Sequence, residues 1–151
     1  MSYREIHPDQ IYHVYNRGTC AMDIFRNKSD YQRFTAKLLY YLNAFNVELH
    51  ACCLMPNHFH LLLQEPPIRP ESSKSAISLM MQRLLNSYSK YFGLKYNHSG
   101  VVFQGKFKSK FVCKDEYYEH LKQYILDNPV RKGLANNRGN WPYSFVNIGH
   151  Q

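Results

Sequence analysis

Apolar and polar positions alternate in some stretches of the 151-residue chain and recur every three or four residues in others, and these two periods predict a short series of strands and helices. Ile11-Tyr12-His13-Val14-Tyr15-Asn16 is β-branched and aromatic and runs into Arg17-Gly18, the pattern of a strand ending in a turn. His13 and Tyr15 share one face of it. Ser29 or Asp30 is expected to cap a helix carrying Phe34, Leu38, Leu39, Tyr41 and Leu42 to about Ala44. Val47 to Leu54 forms the next strand, joined hairpin fashion through Met55-Pro56-Asn57 to a strand over His58–Gln64.

A proline-rich, mobile loop is expected from Glu65 to Ser72, then a long helix from Ser73 to about Phe92 with Ile77, Met80, Met81, Leu84, Leu85, Tyr88 and Tyr91 as its apolar positions. Beyond the loop at Asn97-His98-Ser99-Gly100, Phe103 to Val112 alternates again. Lys106, Lys108 and Lys110 fall on one face, Phe107 and Phe111 on the other. Asp115 caps a last helix that stops by Asn128, because Pro129 disfavours helical geometry in the residue before it. The order strand, helix, strand, strand, helix, strand implies an α+β, ferredoxin-like antiparallel sheet with helices packed over it, in which the first and third strands are central neighbours. No repeat or second domain shows, so residues 1–151 are read as a single domain.

Composition narrows the function classes. The hydrophobic content of 44% is globular and the aromatic content of 15% is high. No apolar stretch approaches the roughly 20 residues of a membrane span, and Met1-Ser2-Tyr3-Arg4-Glu5 lacks a signal-peptide core, so a cytoplasmic protein is expected. Cys20, Cys52, Cys53 and Cys113 form no Cys-x-x-Cys pattern and are read as reduced packing residues. Residues 1–80 hold 8 basic against 7 acidic side chains, whereas residues 81–151 hold 11 against 4. A one-sided excess of this kind suits a polyphosphate partner.

Two constellations carry chemistry. His58 and His60, two apart on a strand, lie on one face while Phe59 and Leu61 turn to the other, which makes the imidazole pair half of a metal site. The alternative is two hydrogen-bonded histidines on a half-buried strand. On the last helix Tyr118, Leu121 and Ile125 form the core stripe, and His120, Tyr124 and Asn128 an adjacent polar one at steps of four. Tyr124 at the margin of the buried face can reach a cleft beside the sheet, and the Asn128 amide oxygen, one turn on, can complete a metal site with His58 and His60. Here too a plain reading exists: a boundary tyrosine and a helix-ending asparagine before proline.

Taken together, five segments resemble the single-tyrosine HUH transposases, most closely their REP-associated tyrosine transposase branch: Tyr12-His13-Val14-Tyr15-Asn16-Arg17-Gly18, Leu54 to Leu62, Phe103 to Ser109, Tyr124 to Leu134, and Trp141-Pro142-Tyr143-Ser144. The resemblance spans nearly the whole chain and places the HUH motif on a central strand. It implies a DNA strand-transferase in which His58, His60 and Asn128 hold a divalent metal, Mg²⁺ or Mn²⁺ by the resemblance where ligand softness alone would suit zinc, and Tyr124 is the nucleophile. Many relatives carry glutamine or glutamate at the third ligand position, so the shorter Asn128 requires a closer approach of its helix. The implied partner is single-stranded DNA containing hairpins, with a homodimer possible, and Arg17, Lys106, Lys108, Lys110, Arg131 and Lys132 are the candidate DNA-binding residues. Two other classes stay open: a non-catalytic nucleic-acid-binding module on a ferredoxin-like fold, and a metal-dependent phosphoesterase that uses water.

Overall fold

A computed structural model describes residues 5–68 and 74–146. Five antiparallel strands form one sheet: β1 (Ile11–Arg17), β2 (Glu48–Met55), β3 (His58–Gln64), β4 (Lys108–Val112) and β5 (Ser144–Val146), in the spatial order β4-β1-β3-β2-β5. With α1 (Lys28–Phe45) and α2 (Ala76–Tyr96), the first four strands have the ferredoxin-like order, and β1 and β3 are central neighbours as expected. Two further helices follow β4: α3 (Glu116–Leu126) and the short α4 (Asn128–Arg131).

Strand alternation divides the sheet into two unlike faces. On one, Tyr12, Val14, Cys52, Leu54, Phe59, Leu61 and Leu63 pack against α1 and α2 through Phe34, Leu38, Met80, Met81, Leu84 and Tyr88 in the main core. On the other, Ile11, Ala51, Cys53, Met55, Leu62 and Val112 meet Leu121 and Ile125 of α3, with Tyr118, Leu126 and Trp141 at the margin, a much smaller cluster. Tyr118 anchors α3 further by a 2.7 Å hydrogen bond from its hydroxyl to His50 Nδ1. The imidazoles of His13, His58 and His60 occupy the part of this second face that α3 leaves open.

Several boundaries differ from expectation. Asn27 caps α1, its side chain accepting from the Asp30 N–H. Asp30 is instead fully buried, bound by Tyr91, Tyr96 and Lys95 of α2 and by the Arg26 N–H. The helix expected from Ser73 starts at Ala76 with Ser75 as cap and runs on to Tyr96. Residues 69–73, which include half of the proline-rich loop, lie outside the described residues; Glu65 at its start is buried and accepts the N–H groups of Ala76 and Ile77. β4 starts only at Lys108, so Lys106 is not on the strand; Phe103 makes an isolated bridge to Gly18, and Gly105 turns the chain at a φ of +69°. The last helix breaks at Asp127, but the chain does not leave helical geometry at Asn128. Asn128 opens α4, and Pro129 stands where a missing N–H costs nothing. Cys20 and Cys113 are exposed, so only Cys52 and Cys53 are packing residues. Trp141 and Tyr143 close the β2 edge by bonds with the Leu54 backbone and lead into β5, a strand the alternation pattern does not predict.

Candidate metal and nucleophile site

The β2–β3 hairpin places the first two functional side chains. Pro56 and Asn57 turn the chain, and the turn is held from below by the loop after β1. Gly18 N–H donates to Asn57 O at 2.9 Å, and the N–H groups of Ile24 and Phe25 donate to Pro56 O. This close approach needs glycine at position 18, where a Cβ would lie 2.2 Å from Met22 O. His58 then stands opposite Arg17, and His60 opposite Tyr15, on the open face.

The imidazoles are gathered and oriented. The His58 and His60 rings lie 5.0 Å apart at 86° to each other. His58 Nδ1 is 2.7 Å from Asn57 Oδ1, an acceptor that fixes the hydrogen on Nδ1 and leaves Nε2 with a lone pair. His60 Nδ1 is 2.9 Å from His13 Nε2, and the His13 ring packs in turn beside that of Tyr15, 4.7 Å away and tilted by 34°. Burial, then the neighbouring positive charge, holds all three rings neutral: His13 is pulled down to about 4 by burial and Lys110, and His60 to about 3 by burial, the two other histidines, Arg131 and Lys132. His58 is lowered by burial and Lys132. Neutral imidazole is the form that ligates metal.

The third expected ligand is also here. Asn128 is 3% exposed and its Nδ2 is 3.2 Å from His58 Nε2, joining α4 to β3 across 70 residues of chain. The nitrogen, not the expected oxygen, faces the imidazole, because Oδ1 accepts from Arg131 Nη2 at 3.4 Å. A half turn of the amide presents Oδ1 to the same point. Two neutral imidazoles and an adjacent buried amide suit a divalent ion that keeps open positions. Among the described residues no group of three or more His, Cys, Asp or Glu side chains forms a metal cluster.

Tyr124 lies on the preceding helix, α3, half exposed, its ring covered by the Arg131 guanidinium at 3.7 Å from the ring centroid. Arg131 also donates to Tyr124 O at 2.8 Å. One arginine therefore touches both Tyr124 and Asn128. His120 is exposed and beside Glu116, Tyr117, Glu119 and Gln123 in a shallow depression of α3.

The predicted DNA-contacting residues separate into groups. Arg17 borders the site, its Nε donating to Gln104 Oε1 at 2.6 Å. Lys108 and Lys110 pair with Tyr15 and His13 on the open face of β4, and Lys110 Nζ stands 5.8 Å from the Tyr15 ring. Lys106 lies exposed in the bend before β4. Arg131 and Lys132 are close enough to act on the imidazole charges. Sequence reading missed His13, Asn57 and Gln104 as members of this site. The β1 alternation already put His13 and Tyr15 on one face, and only the register against β3 was lacking.

Comparison with known proteins bears on the fold and the family. Residues 7–128 match the family model described as "Transposase IS200 like". A protein of Haemophilus influenzae, provisionally named a REP-associated tyrosine transposase, is 30% identical over 103 residues, 64% of this chain. The match spans only 57% of that protein. The structure of a REP-associated tyrosine transposase bound to a REP hairpin superposes with a TM-score of 0.66 at 18% identity, covering 95% of this chain and 81% of that one. A transposase structure from Deinococcus radiodurans, provisionally so named, gives a TM-score of 0.53 at 17% identity over 83% of this chain and 95% of its own. These two likenesses establish the fold. Because the family model accounts for most of the chain, from before β1 to the Asn128 position, the chain belongs to the IS200-like transposase family.

Proposed function

We propose that this protein cuts and rejoins single-stranded DNA by way of a covalent tyrosine intermediate, with Tyr124 as nucleophile and with His58, His60 and Asn128 holding Mg²⁺ or Mn²⁺. The observation that carries the reading is the 3.2 Å approach of Asn128 to His58 Nε2, which brings α4, joined through Asp127 to the helix that bears Tyr124, up to the imidazole pair's first member. Once bound, the ion neutralises charge on the scissile phosphate. The chain supplies the rest. Attack by the Tyr124 hydroxyl oxygen on phosphorus forms a 5′-phosphotyrosine and releases a 3′-hydroxyl, which takes a proton; reversal onto another strand's 3′-hydroxyl restores a phosphodiester. The bond count is conserved, so no nucleotide cofactor is consumed.

Arg131 covers Tyr124 before substrate arrives and offers its guanidinium to a phosphate when one does. Arg17, Lys106, Lys108, Lys110 and Lys132 extend the positive border along which a strand would track. The relative solved with a REP hairpin makes hairpin-containing single strands the first substrates to try. No helix among the described residues is long and apolar enough to cross a membrane.

The test is a denaturing gel of protein with labelled single-stranded hairpin DNA and Mn²⁺. A slow-migrating covalent band is expected for wild type and not for Tyr124→Phe or His60→Ala. Binding without any such band over a randomised hairpin pool would favour a non-catalytic DNA-binding module, and cleavage that survives Tyr124→Phe would favour a water-using phosphoesterase.

A further inference from the structure

The His13–His60 contact is a nitrogen–nitrogen hydrogen bond of 2.9 Å, so one ring nitrogen must donate and the other accept. Two arrangements satisfy a 2.9 Å bond. In one, His60 Nδ1–H donates to His13 Nε2, and His60 Nε2 keeps its lone pair. In the other, His13 Nε2–H donates to His60 Nδ1, and His60 Nε2 carries the hydrogen and cannot ligate anything. His58 has no such ambiguity, since Asn57 Oδ1 can only accept.

We propose that His13 is a positioning residue whose Nε2 accepts the His60 Nδ1–H, so that His60 Nε2, the nitrogen turned away from His13, presents its lone pair to the site. Two observations fix the bond itself, and a third selects the first arrangement. The two ring planes lie within 26° of each other with centroids 5.1 Å apart, the end-to-end arrangement of an in-plane bond, and the Tyr15 ring packs 4.7 Å from that of His13, so the bond is geometrically fixed. His13 is two pairs along from the Tyr15–His60 pair in the β1–β3 register and on the same face, so backbone pairing sets the spacing. The positive charges of Arg131 and Lys132 act on His60, and an outward lone pair is favoured over an outward N–H beside them. An acceptor behind a ligating imidazole also makes it a better donor to metal. Only this last consequence rests on the metal-dependent reading above.

The experiment is ¹⁵N NMR of the histidine rings at neutral pH without metal, in wild type, His13→Phe and His13→Gln, followed by Mn²⁺ titration of each. In wild type and in His13→Gln, whose side-chain carbonyl can accept in the same place, His60 should be protonated at Nδ1. In His13→Phe the Nε2–H form should appear, and Mn²⁺ affinity should fall by about 10- to 100-fold. A wild-type His60 protonated at Nε2, or a His60 tautomer unchanged in His13→Phe, would overturn the proposal. A tautomer that follows His13 while no form binds Mn²⁺ would support the positioning role and sink the metal reading instead.

Discussion

Acid should unfold this protein through its functional site before it does so through its carboxylates. His13 and His60 are held neutral, at about 4 and about 3 against an ordinary 6.5, chiefly by burial. Their folded values are depressed, so the unfolded chain binds more protons below pH 6.5, and stability falls as pH drops from there towards the folded values. From pH 7.5 to 5.0 the unfolded form of one such histidine gains about 2 kcal/mol, and the folded form almost nothing, so two independent rings would cost about 4 kcal/mol as an upper bound. Coupling between the rings and partial solvent access reduce this to about 2–3 kcal/mol, or about 1–2 M in urea midpoint. The assay is equilibrium urea unfolding at both pH values for wild type and for the His13→Phe/His60→Leu double variant. The wild-type midpoint should fall by that amount and the variant's by clearly less. Equal shifts in the two proteins, or no shift in wild type, would refute the reasoning.

Gly18→Ala should lower the melting temperature and loosen the His58 turn, costing about 1–3 kcal/mol, because its Cβ would collide with the Met22 carbonyl 2.2 Å away; thermal unfolding checks this. Burial opposes ionisation of Asp30, yet hydrogen bonds from Lys95, Tyr96 and Tyr91 hold its carboxyl below the ordinary range, so Asp30→Ala should cost about 3–5 kcal/mol by chemical denaturation. If the open face of β4 carries phosphates, Lys108→Gln and Lys110→Gln should each reduce the slope of log affinity against log salt for single-stranded DNA by about 0.7, measured by fluorescence anisotropy. An unchanged slope would leave these lysines as guards of an exposed sheet edge.

Much of this arrangement was legible in the chain. The period-two pattern located β3 to the residue, because its apolar face and its two histidines alternate without interruption. The Asp115 cap and the Leu121–Ile125 stripe were equally plain. What was hidden depended on partners distant in sequence. Asp30 looks like a cap residue, yet it is the centre of an ion pair and two phenol bonds supplied by α2 some 60 residues later. Pro129 reads as a stop signal, but at the second position of α4 its missing N–H has no penalty. Lys106 fitted the alternation of its segment, and the glycine at 105, held in a left-handed turn with Asn16 donating to its carbonyl, removes it from the strand. His13 belonged to the site by a register that only paired strands define.

The unequal covering of the two sheet faces has an energetic consequence. α1 and α2 share the large core, whereas the helix bearing Tyr124 rests on the small cluster around Leu121 and Ile125 and on the Tyr118–His50 bond. Local opening free energies scale with the apolar surface an element buries. Detaching α3 therefore requires only a fraction of the global unfolding energy, and its amides should exchange with deuterium well ahead of those of β1 and β3. Tyr124, the proposed nucleophile, would then be carried by a separable foldon, while the imidazoles of β1 and β3 would be anchored in the slowest-exchanging part of the molecule.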